Sequence, residues 1–275
     1  QKTMHGLFSD LLYKEIEKAL ENKEQVILFQ NRRGYAPILE CDVCGHVEKC
    51  IRCDVSLTYH KHSNLLRCHY CGHMEELSVT CKACGSVETG FKGSGTEQIE
   101  EEFAKFFPNA KIARLDLDTT KKKYAYQEII SDFEDAKIDV LVGTQMITKG
   151  LDFNKVSVVG ILNADQMLSF PDFRSFERAF QLMLQVAGRA GRRDKRGKVI
   201  IQSFQPHHSV IKNVMEYDYL SLYNSEIINR RNFYYPPFYR LICITFKHLN
   251  KNVLDAAAEG VSSGLRASLK DFALV

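Results

Sequence analysis

Four Cys-x-x-Cys pairs fall within 44 residues and restrict the folding of this chain more than any other feature. Two thiolates three positions apart bind one face of a tetrahedral Zn²⁺ ion, and two such pairs complete its coordination. The sequence therefore predicts two closed four-cysteine zinc sites. The predicted ligands are Cys41, Cys44, Cys50, Cys53, Cys68, Cys71, Cys81 and Cys84.

The spacing of the pairs does not fix which of them share an ion. If the first two pairs shared one, only the five residues from Gly45 to Lys49 would remain to turn the chain. A nested scheme, with the two inner pairs on one ion and the two outer pairs on the other, leaves more room, and a cross-braced scheme stays open. Histidines in the same stretch could replace thiolates, although we expect them mainly at the surface or beside the ligands. They are His46, His60, His62, His69 and His73.

A disulfide framework is the alternative, and the composition argues against it. No signal peptide is evident, Cys243 has no partner, and no apolar run approaches the ~20 residues of a membrane span. We therefore expect a cytoplasmic protein with no membrane contact. The formal charge of +3 would become about −1 with two Zn²⁺ ions on eight thiolates, so nucleic-acid binding would need local basic patches. Residues 121–123 and 189–198 form two such patches.

Strands alternate with amphipathic helices on both sides of the cysteine segment. The pattern predicts an α/β fold, a parallel sheet with helices on both faces, interrupted by the cysteine module. Ser94 and Glu97 have the spacing of a capping box at the start of the second helix. The predicted strands are 25–29, 111–115, 138–143, 156–162 and 198–203, and the predicted helices begin near residues 7, 96, 123 and 175.

A domain division follows from these elements. A connecting helix is predicted at about 208–229, then a strand at 240–247 and a helix from about 252, which would begin a small α+β domain. Because one strand and one helix cannot close a core, we expect a piece of a longer protein. The expected parts are 1–40 and 88–207 for the α/β lobe, 41–87 for the cysteine module, 208–232 for the connection and 233–275 for the last domain.

Two glycine-bearing stretches predict a phosphate-binding surface. Residues 185–192 place two arginines three apart at a helix end, separated by glycine, which suits a polyphosphate. Residues 143–152 leave the carboxyl end of a buried strand, where open α/β sheets place ligand loops. Taken alone, the first stretch could be a basic helix end.

Residues 144–152 resemble motif V, and residues 185–192 resemble motif VI, of the second RecA-like lobe of a superfamily-two helicase. With the eight-cysteine segment that follows residues 31–37, the chain is similar to the PriA family of bacterial primosomal replication-restart DNA helicases. Residues 95–97, 115–120 and 170–174 also fit that family. The resemblance implies a C-terminal part of an ATP-dependent 3′-to-5′ DNA helicase.

The resemblance also implies roles for individual residues. Arg192, as arginine finger, and Arg189 would face the γ-phosphate of ATP held by a first lobe, and Gln185 would place the nucleotide or its attacking water. Gly150 and Asp152 would lie at the cleft between lobes, Asp152 near the ribose. The candidates for contact with the DNA backbone are Asn31, Arg32, Thr96 and Thr144.

The implied cofactors are two Zn²⁺ ions in the nested arrangement, together with ATP and Mg²⁺ held mainly by the first lobe. The implied partners are forked and single-stranded DNA, primosome proteins and single-stranded-DNA-binding protein. Tyr59 and Tyr70 near Lys61 and Arg67 would suit base stacking, or equally packing under the zinc knuckles. No phosphate-loop motif is present, so we expect no ATP hydrolysis by this chain alone.

A non-catalytic zinc-ribbon adaptor for nucleic acid or protein is the competing interpretation. Such an adaptor would have no use for the arginine-bearing stretch at 185–192. This stretch therefore favours the helicase lobe.

Overall fold

A computed structural model of the chain describes residues 4–31, 38–41, 43–51, 56–60, 64–68, 71–92, 95–116, 119–120, 124–148, 153–169, 172–191, 197–242 and 244–268. The chain divides into two compact units. We call Gln1–Ala36 with Ser94–Tyr239 the lobe, and Pro37–Gly93 with Arg240–Val275 the cysteine unit. No helix in the described ranges is both long and apolar enough to cross a membrane.

The elements are numbered in chain order. The strands are β1 (Met4–His5), β2 (Phe8–Ser9), β3 (Gln25–Phe29), β4 (Ile38–Cys41), β5 (Thr58–His60), β6 (Leu65–Arg67), β7 (Met74–Glu76), β8 (Thr89–Lys92), β9 (Ile112–Leu115), β10 (Val140–Gly143), β11 (Val156–Ile161) and β12 (Lys198–Ile201). The helices are α1 (Asp10–Glu21), α2 (Thr96–Phe106), α3 (Ala125–Glu134), α4 (Asp165–Leu168), α5 (Ser175–Ala187), α6 (Ser209–Glu216), α7 (Tyr219–Asn232) and α8 (Lys251–Ser268). A 3₁₀ helix spans Gln145–Thr148.

The lobe is built on a parallel five-stranded sheet in the order β12-β11-β3-β10-β9. Its central strand, β3, is apolar in four of its five residues and completely buried, as a parallel strand covered on both faces should be. The pleat sends Val26 and Leu28 into one apolar cluster, and Ile27 and Phe29 into another. The predicted α/β fold with helices on both faces is confirmed.

Each apolar cluster is covered by a different set of helices. Helices α1 and α2 pack on one face of the sheet through residues such as Ile16 and Phe103. Helices α3, α5, α6 and α7 contribute to the other cluster, with Phe133 and Met183 among its buried members. The lobe therefore encloses two cores separated by a single layer of strands.

The first helix begins later than its apolar stripe predicts. Ser9 is the N-cap, and its hydroxyl accepts a hydrogen bond from the Leu12 amide at 3.4 Å. Leu7 therefore precedes the helix. Leu11 is 61% exposed, so the expected stripe is wrong at these two leucines. The short strand β2, which pairs antiparallel with β1, occupies part of the predicted first turn.

The expected capping box at the second helix is also wrong. Its N-cap is Gly95, which makes no side-chain cap, and Ser94 lies outside the described residues. The helix starts one residue too late for the Ser94–Glu97 spacing. The five predicted strands of the lobe begin and end within two residues of their predicted bounds, and α3 and α5 begin within two residues of their predicted starts.

The predicted connecting helix is two helices. Tyr217 ends α6 with a positive φ of 55°, and Asp218 caps α7 by accepting from the Ser221 amide at 2.9 Å. An aspartate in mid-pattern was the sequence signal for this break. The strand predicted at 240–247 is wrong too, since no strand forms in its described residues. Ile242 there is 84% exposed, and an extended segment needs a paired neighbour to become a strand.

In the cysteine unit, β4 pairs antiparallel with β8, from Ile38↔Lys92 to Cys41↔Thr89. This pairing extends the unit beyond the predicted bounds of 41 and 87. Strands β5, β6 and β7 form a small antiparallel sheet. The buried apolar residues of the unit, cysteines aside, are few among those described: Leu39, Leu57, Tyr59 and Leu66.

Candidate functional site: two cysteine clusters and the ligand edge of the sheet

The structure brings the two outer cysteine pairs together in one group, which we call the outer cluster. The sulfurs of Cys41, Cys44, Cys81 and Cys84 all lie within 4.8 Å of one another. The Sγ–Sγ distance is 3.6 Å both for Cys41 with Cys84 and for Cys44 with Cys81. Each pair closes a tight turn, in which a glycine amide bonds back to the first cysteine carbonyl at 2.9 Å.

The inner cluster contains Cys50, Cys68 and Cys71, whose sulfurs also lie within 4.8 Å of one another. Cys50 and Cys71 are 3.6 Å apart at Sγ. Cys53, the fourth predicted member, lies outside the described residues. The described sulfurs are thus grouped as in the nested scheme, and not with the first two pairs together or cross-braced.

The geometry of both clusters fits a zinc ion. Four sulfurs at ~2.3 Å from a tetrahedral ion lie ~3.8 Å apart. The observed spacing of 3.6 Å is close to this value, and the seven described cysteines of the two clusters form no disulfide. Gly45, Gly72 and Gly85 have φ between 70° and 74°, so each supplies the left-handed residue that ends a knuckle.

The thiols of the outer cluster differ in pKa. The backbone amide of Cys84, helped by that of Ala83, lowers the pKa of Cys81 to about 6, against the effect of burial. At Cys44, the backbone amide of His46 lowers the pKa. Hydrogen bonds from neighbouring thiols, Cys84 first, and burial outweigh it and raise the value to about 12. Such a cluster retains several negative charges at neutral pH only when a cation neutralises them.

The histidines and tyrosine of the module serve structural contacts where the structure describes them. His73 Nε2 lies 2.9 Å from Glu75 Oε1, and the hydroxyl of Tyr59 donates to Asn64 Oδ1 at 2.8 Å. Tyr59 is only 9% exposed, which favours packing over base stacking. Tyr70, His62 and His69 lie outside the described residues.

The carboxyl ends of β3 and β10 bring two predicted DNA-contact residues to one edge. Asn31 follows β3 and accepts a hydrogen bond from Gln145 Nε2 at 3.2 Å. Thr144 follows β10, but it is 2% exposed and its buried hydroxyl has no hydrogen-bond partner within the described part. Arg32 lies outside the described residues.

Thr96, the remaining predicted DNA contact, is fully buried at the start of α2. Its hydroxyl donates to Asp116 Oδ2 at 2.6 Å. Asp116 is also fully buried and accepts from the Thr119 amide at 3.0 Å. The hydroxyl of Thr96 thus joins α2 to the loop after β9, and Thr96 is not exposed at the surface. Sequence reasoning gave Asp116 no role, although its position directly after a predicted strand was a usable signal.

Helix α5 ends at the arginine-bearing stretch. Gln185 is exposed on its last turn, Gly188 is the C-cap and Arg189 is half-buried. The amide of Gly191 donates to the Val156 carbonyl at 3.0 Å, which fixes this stretch to the start of β11. Arg192, Gly150 and Asp152 lie outside the described residues.

The two stretches that the sequence predicts to bind phosphate share one face of the sheet, because the 3₁₀ helix Gln145–Thr148 packs against α5. The N-terminal end of α5 is fixed separately. Asp172 accepts from the Arg174 amide at 2.8 Å and from Arg178 Nη1 at 2.6 Å. The backbone amide of Arg174 is the main reason that the pKa of Asp172 is lowered.

Comparison with known protein families identifies the class of protein. Residues 91–194 match the helicase conserved C-terminal domain, in agreement with the parallel sheet and the two stretches on its face. Residues 50–75 match the PriA DNA helicase Cys-rich region (CRR) domain. The chain thus combines a helicase C-terminal lobe with a Cys-rich insertion.

Two curated relatives name the family. The chain is 44% identical to replication restart protein PriA of Bacillus subtilis, over 96% of this chain and 33% of the relative. It is 46% identical to replication restart protein PriA of Chlamydia pneumoniae, over 86% of this chain and 32% of the relative. Over the region that it spans, about a third of these relatives, the chain belongs to the PriA family.

A solved structure of S. cerevisiae Dbp5 is similar at 12% identity, over 80% of this chain and 42% of the Dbp5 chain, with a TM-score of 0.37. A likeness this low carries no argument about function. The fold assignment rests instead on the strand order of the lobe.

Proposed function

We propose that this chain is the zinc-bearing second lobe of an ATP-dependent 3′-to-5′ DNA helicase that acts in replication restart. One observation carries the proposal: the Pro37–Gly93 segment of the cysteine unit is inserted in the chain between β3 and α2 of a parallel α/β lobe. The two parts match a PriA Cys-rich region and a helicase C-terminal domain. A zinc-ribbon adaptor would need only the first part.

In this proposal the lobe supplies one side of an ATPase site. Arg192 acts as the arginine finger on the γ-phosphate, with Arg189 beside it and Gln185 placing the nucleotide or its water. Gly150 and Asp152 border the cleft, Asp152 near the ribose. The exposed side chain of Gln185 at the end of α5 and the half-buried Arg189 support this arrangement. ATP and Mg²⁺ are held mainly by a first lobe.

DNA binding is proposed for the edge at the carboxyl ends of β3 and β10. Asn31 and Arg32 contact the backbone through amide and guanidinium groups. Thr96 and Thr144, the other two candidates for contact with the DNA backbone, are buried, and the Thr96 hydroxyl joins α2 to the loop after β9. Forked and single-stranded DNA, primosome proteins and single-stranded-DNA-binding protein are the proposed partners in the cell.

We propose two Zn²⁺ ions, one in the outer cluster and one in the inner cluster, with Cys53 as the fourth inner ligand. A bound ion would neutralise the thiolates and fix the knuckles, so its contribution is structural. The cysteine unit would then present a rigid wedge or guide for DNA and a docking surface for primosome proteins. Metal analysis of the purified chain should give two zinc ions.

The decisive test uses the full-length protein with Arg192→Ala. ATP hydrolysis and unwinding should fall by ~10³–10⁵, because an arginine finger acts mainly on charge that develops in the transition state. Zinc content and DNA binding should stay unchanged. Arg192→Lys should restore little, since an ammonium group cannot make the planar two-pronged contact.

Arg193→Ala is the matched control, one residue along, and should reduce DNA affinity more than hydrolysis. The chain by itself should show no ATPase activity, because it contains no phosphate-loop motif. Near-normal turnover by Arg192→Ala, or robust hydrolysis by the chain alone, would contradict the proposed helicase lobe.

A further inference from the structure

One lysine joins the two cysteine clusters through carboxylates. Lys82 lies between Cys81 and Cys84, in a knuckle of the outer cluster. Its Nζ is 3.0 Å from Glu48 Oε2 and 2.7 Å from Glu75 Oε2. We call Glu48, His73, Glu75 and Lys82 the Lys82 network.

Glu48 connects this lysine to the segment that leads into the inner cluster. Its side chain is only 7% exposed. Its carbonyl accepts from the Leu57 amide at 2.8 Å, and its amide donates to the Leu39 carbonyl at 3.4 Å. The other nearby base, His46, has its Nε2 3.8 Å from Glu48 Oε1, beyond hydrogen-bond range. Because a buried carboxylate needs a cation close by, Lys82 stabilises Glu48 two residues before Cys50.

Glu75 connects the same lysine to another part of the inner cluster. Its second oxygen, Oε1, lies 2.9 Å from His73 Nε2. The carbonyl of His73 accepts from the Cys68 amide at 2.8 Å. The contact therefore continues from the outer knuckle through Lys82, Glu75 and His73 to the backbone of an inner-cluster cysteine.

We propose that the Lys82 network couples the two clusters, so that losing metal from the outer cluster weakens the retention of metal by the inner cluster. The inference rests on the metal-binding part of the proposed function. An empty outer cluster no longer fixes the knuckle that carries Lys82. Once Lys82 leaves, Glu48 stays buried without its cation, and the segments before Cys50 and around Cys68 loosen. By linkage, emptying the inner cluster weakens the outer cluster equally.

The test is a cycle of four chains: wild type, Cys84→Ser, Lys82→Met and the double variant. Cys84→Ser empties the outer cluster through an exposed ligand. The readout is the chelator concentration at which amides of β5, β6 and β7 lose protection from hydrogen exchange. Cys84→Ser should lower this concentration by about 10-fold when Lys82 is present, a factor typical of coupled sites. In the Lys82→Met background, Cys84→Ser should lower this chelator concentration by less than about 2-fold.

Equal changes in both backgrounds, or no change in the first, would overturn the coupling. Should Lys82→Met hold no zinc, the cycle is repeated with Glu75→Gln, and Glu76→Gln on the exposed face of the same strand is the matched control. Glu76→Gln should leave the wild-type response intact. A wild-type chain that binds no zinc would overturn the metal proposal, whereas two zinc ions released independently would overturn the coupling alone.

Discussion

The lobe buries apolar side chains on both faces of five parallel strands, with Phe29, Phe103 and Phe133 among its fully buried residues. In the described part of the cysteine unit, the buried apolar residues are only three leucines and Tyr59 besides the cysteines. Since each ordered residue costs about 1–2 kcal/mol of backbone entropy, so few apolar groups cannot fold that unit. Metal and ionic contacts have to stabilise it instead.

The different means of stabilisation also change which residues are sensitive. In the lobe, truncating a buried apolar side chain leaves a cavity, which lowers the free energy of unfolding. In the cysteine unit, Lys82 is half exposed and yet holds two carboxylates that belong to different parts of the fold. Exposure is therefore a good guide to tolerance in the lobe and a poor one in the cysteine unit.

Removing the metal should give the largest difference between the two regions. Structural zinc contributes ~10–16 kcal/mol in zinc-finger peptides at pH 7, so chelation should unfold the cysteine unit and leave the lobe folded. Hydrogen exchange followed by mass spectrometry should show protection lost in β5 to β7 and kept in β3, β10 and β11. Loss of protection in all of these strands together would break the comparison.

A cavity in the lobe should produce the opposite pattern. Phe103 is fully buried and packs edge-to-face on Phe8 with ring centroids 6.0 Å apart. Phe103→Ala should lower the free energy of unfolding of the lobe by about 3–5 kcal/mol, measured by denaturant titration, with zinc content unchanged. Phe204→Ala, at a residue that is 93% exposed, is the control and should have little effect. Zinc loss in Phe103→Ala would show that the two regions depend on each other.

A smaller effect is expected where the arginine-bearing stretch returns to the sheet. A Cβ on Gly197 would overlap the Gly191 nitrogen and lie 2.5 Å from the Ala190 carbonyl carbon. Gly197→Ala should therefore destabilise the lobe by about 1–3 kcal/mol, measured by thermal unfolding. Gly188→Ala, where the nearest atom is the Leu184 carbonyl oxygen at 3.4 Å, should not destabilise. Equal stability of the two variants would mean that Gly197 can move away from Ala190 and Gly191 without cost.

The smallest effect concerns Asp172, whose lowered pKa makes the lobe sensitive to acid. A carboxyl whose pKa is depressed by folding adds stability above its unfolded pKa of ~3.9, and this contribution is lost as the pH falls through the folded value. Asp172→Asn should cost about 1 kcal/mol or less at pH 7, and this cost should shrink as the pH falls through the lowered pKa of Asp172. Unfolding measured across this range tests the prediction. Glu134→Gln, an exposed carboxylate on α3, is the control. If Asp172→Asn lowers the free energy of unfolding by the same amount at every pH, the loss comes from altered packing and not from the carboxylate charge.

The sequence predicted well wherever a local pattern determines the structure. Cysteine spacing indicated two clusters, and the helix predicted to begin near residue 175 is observed as α5, which starts at Ser175. The strand order did not follow, because β3 pairs with strands more than 110 residues away and no local pattern records such a choice. The strand predicted near Ile242 was wrong for the same reason, because a local sequence pattern does not show which neighbouring strand would pair with it.

The roles of buried polar residues were the hardest to predict. Thr96 was expected to contact DNA, but its hydroxyl donates to Asp116 inside the lobe. Lys82 looks from the sequence like an ordinary exposed lysine, and only the fold brings Glu48 and Glu75 to it. A residue type indicates which interactions are chemically available, whereas tertiary structure decides which of them forms.

The long-range pairing of β3 has a consequence for the order of events during synthesis on the ribosome. Strand β3 is made before its neighbours β10 and β11, which leave the ribosome only after the whole Pro37–Gly93 segment. The contacts within that segment are local, and β4 and β8 close it by pairing at its two ends. Metal binding by this segment can therefore be complete before β10 and β11 are available to pair with β3. An early, metal-folded segment would then hold β3 and α2 near each other and shorten the search of the nascent lobe for its native sheet.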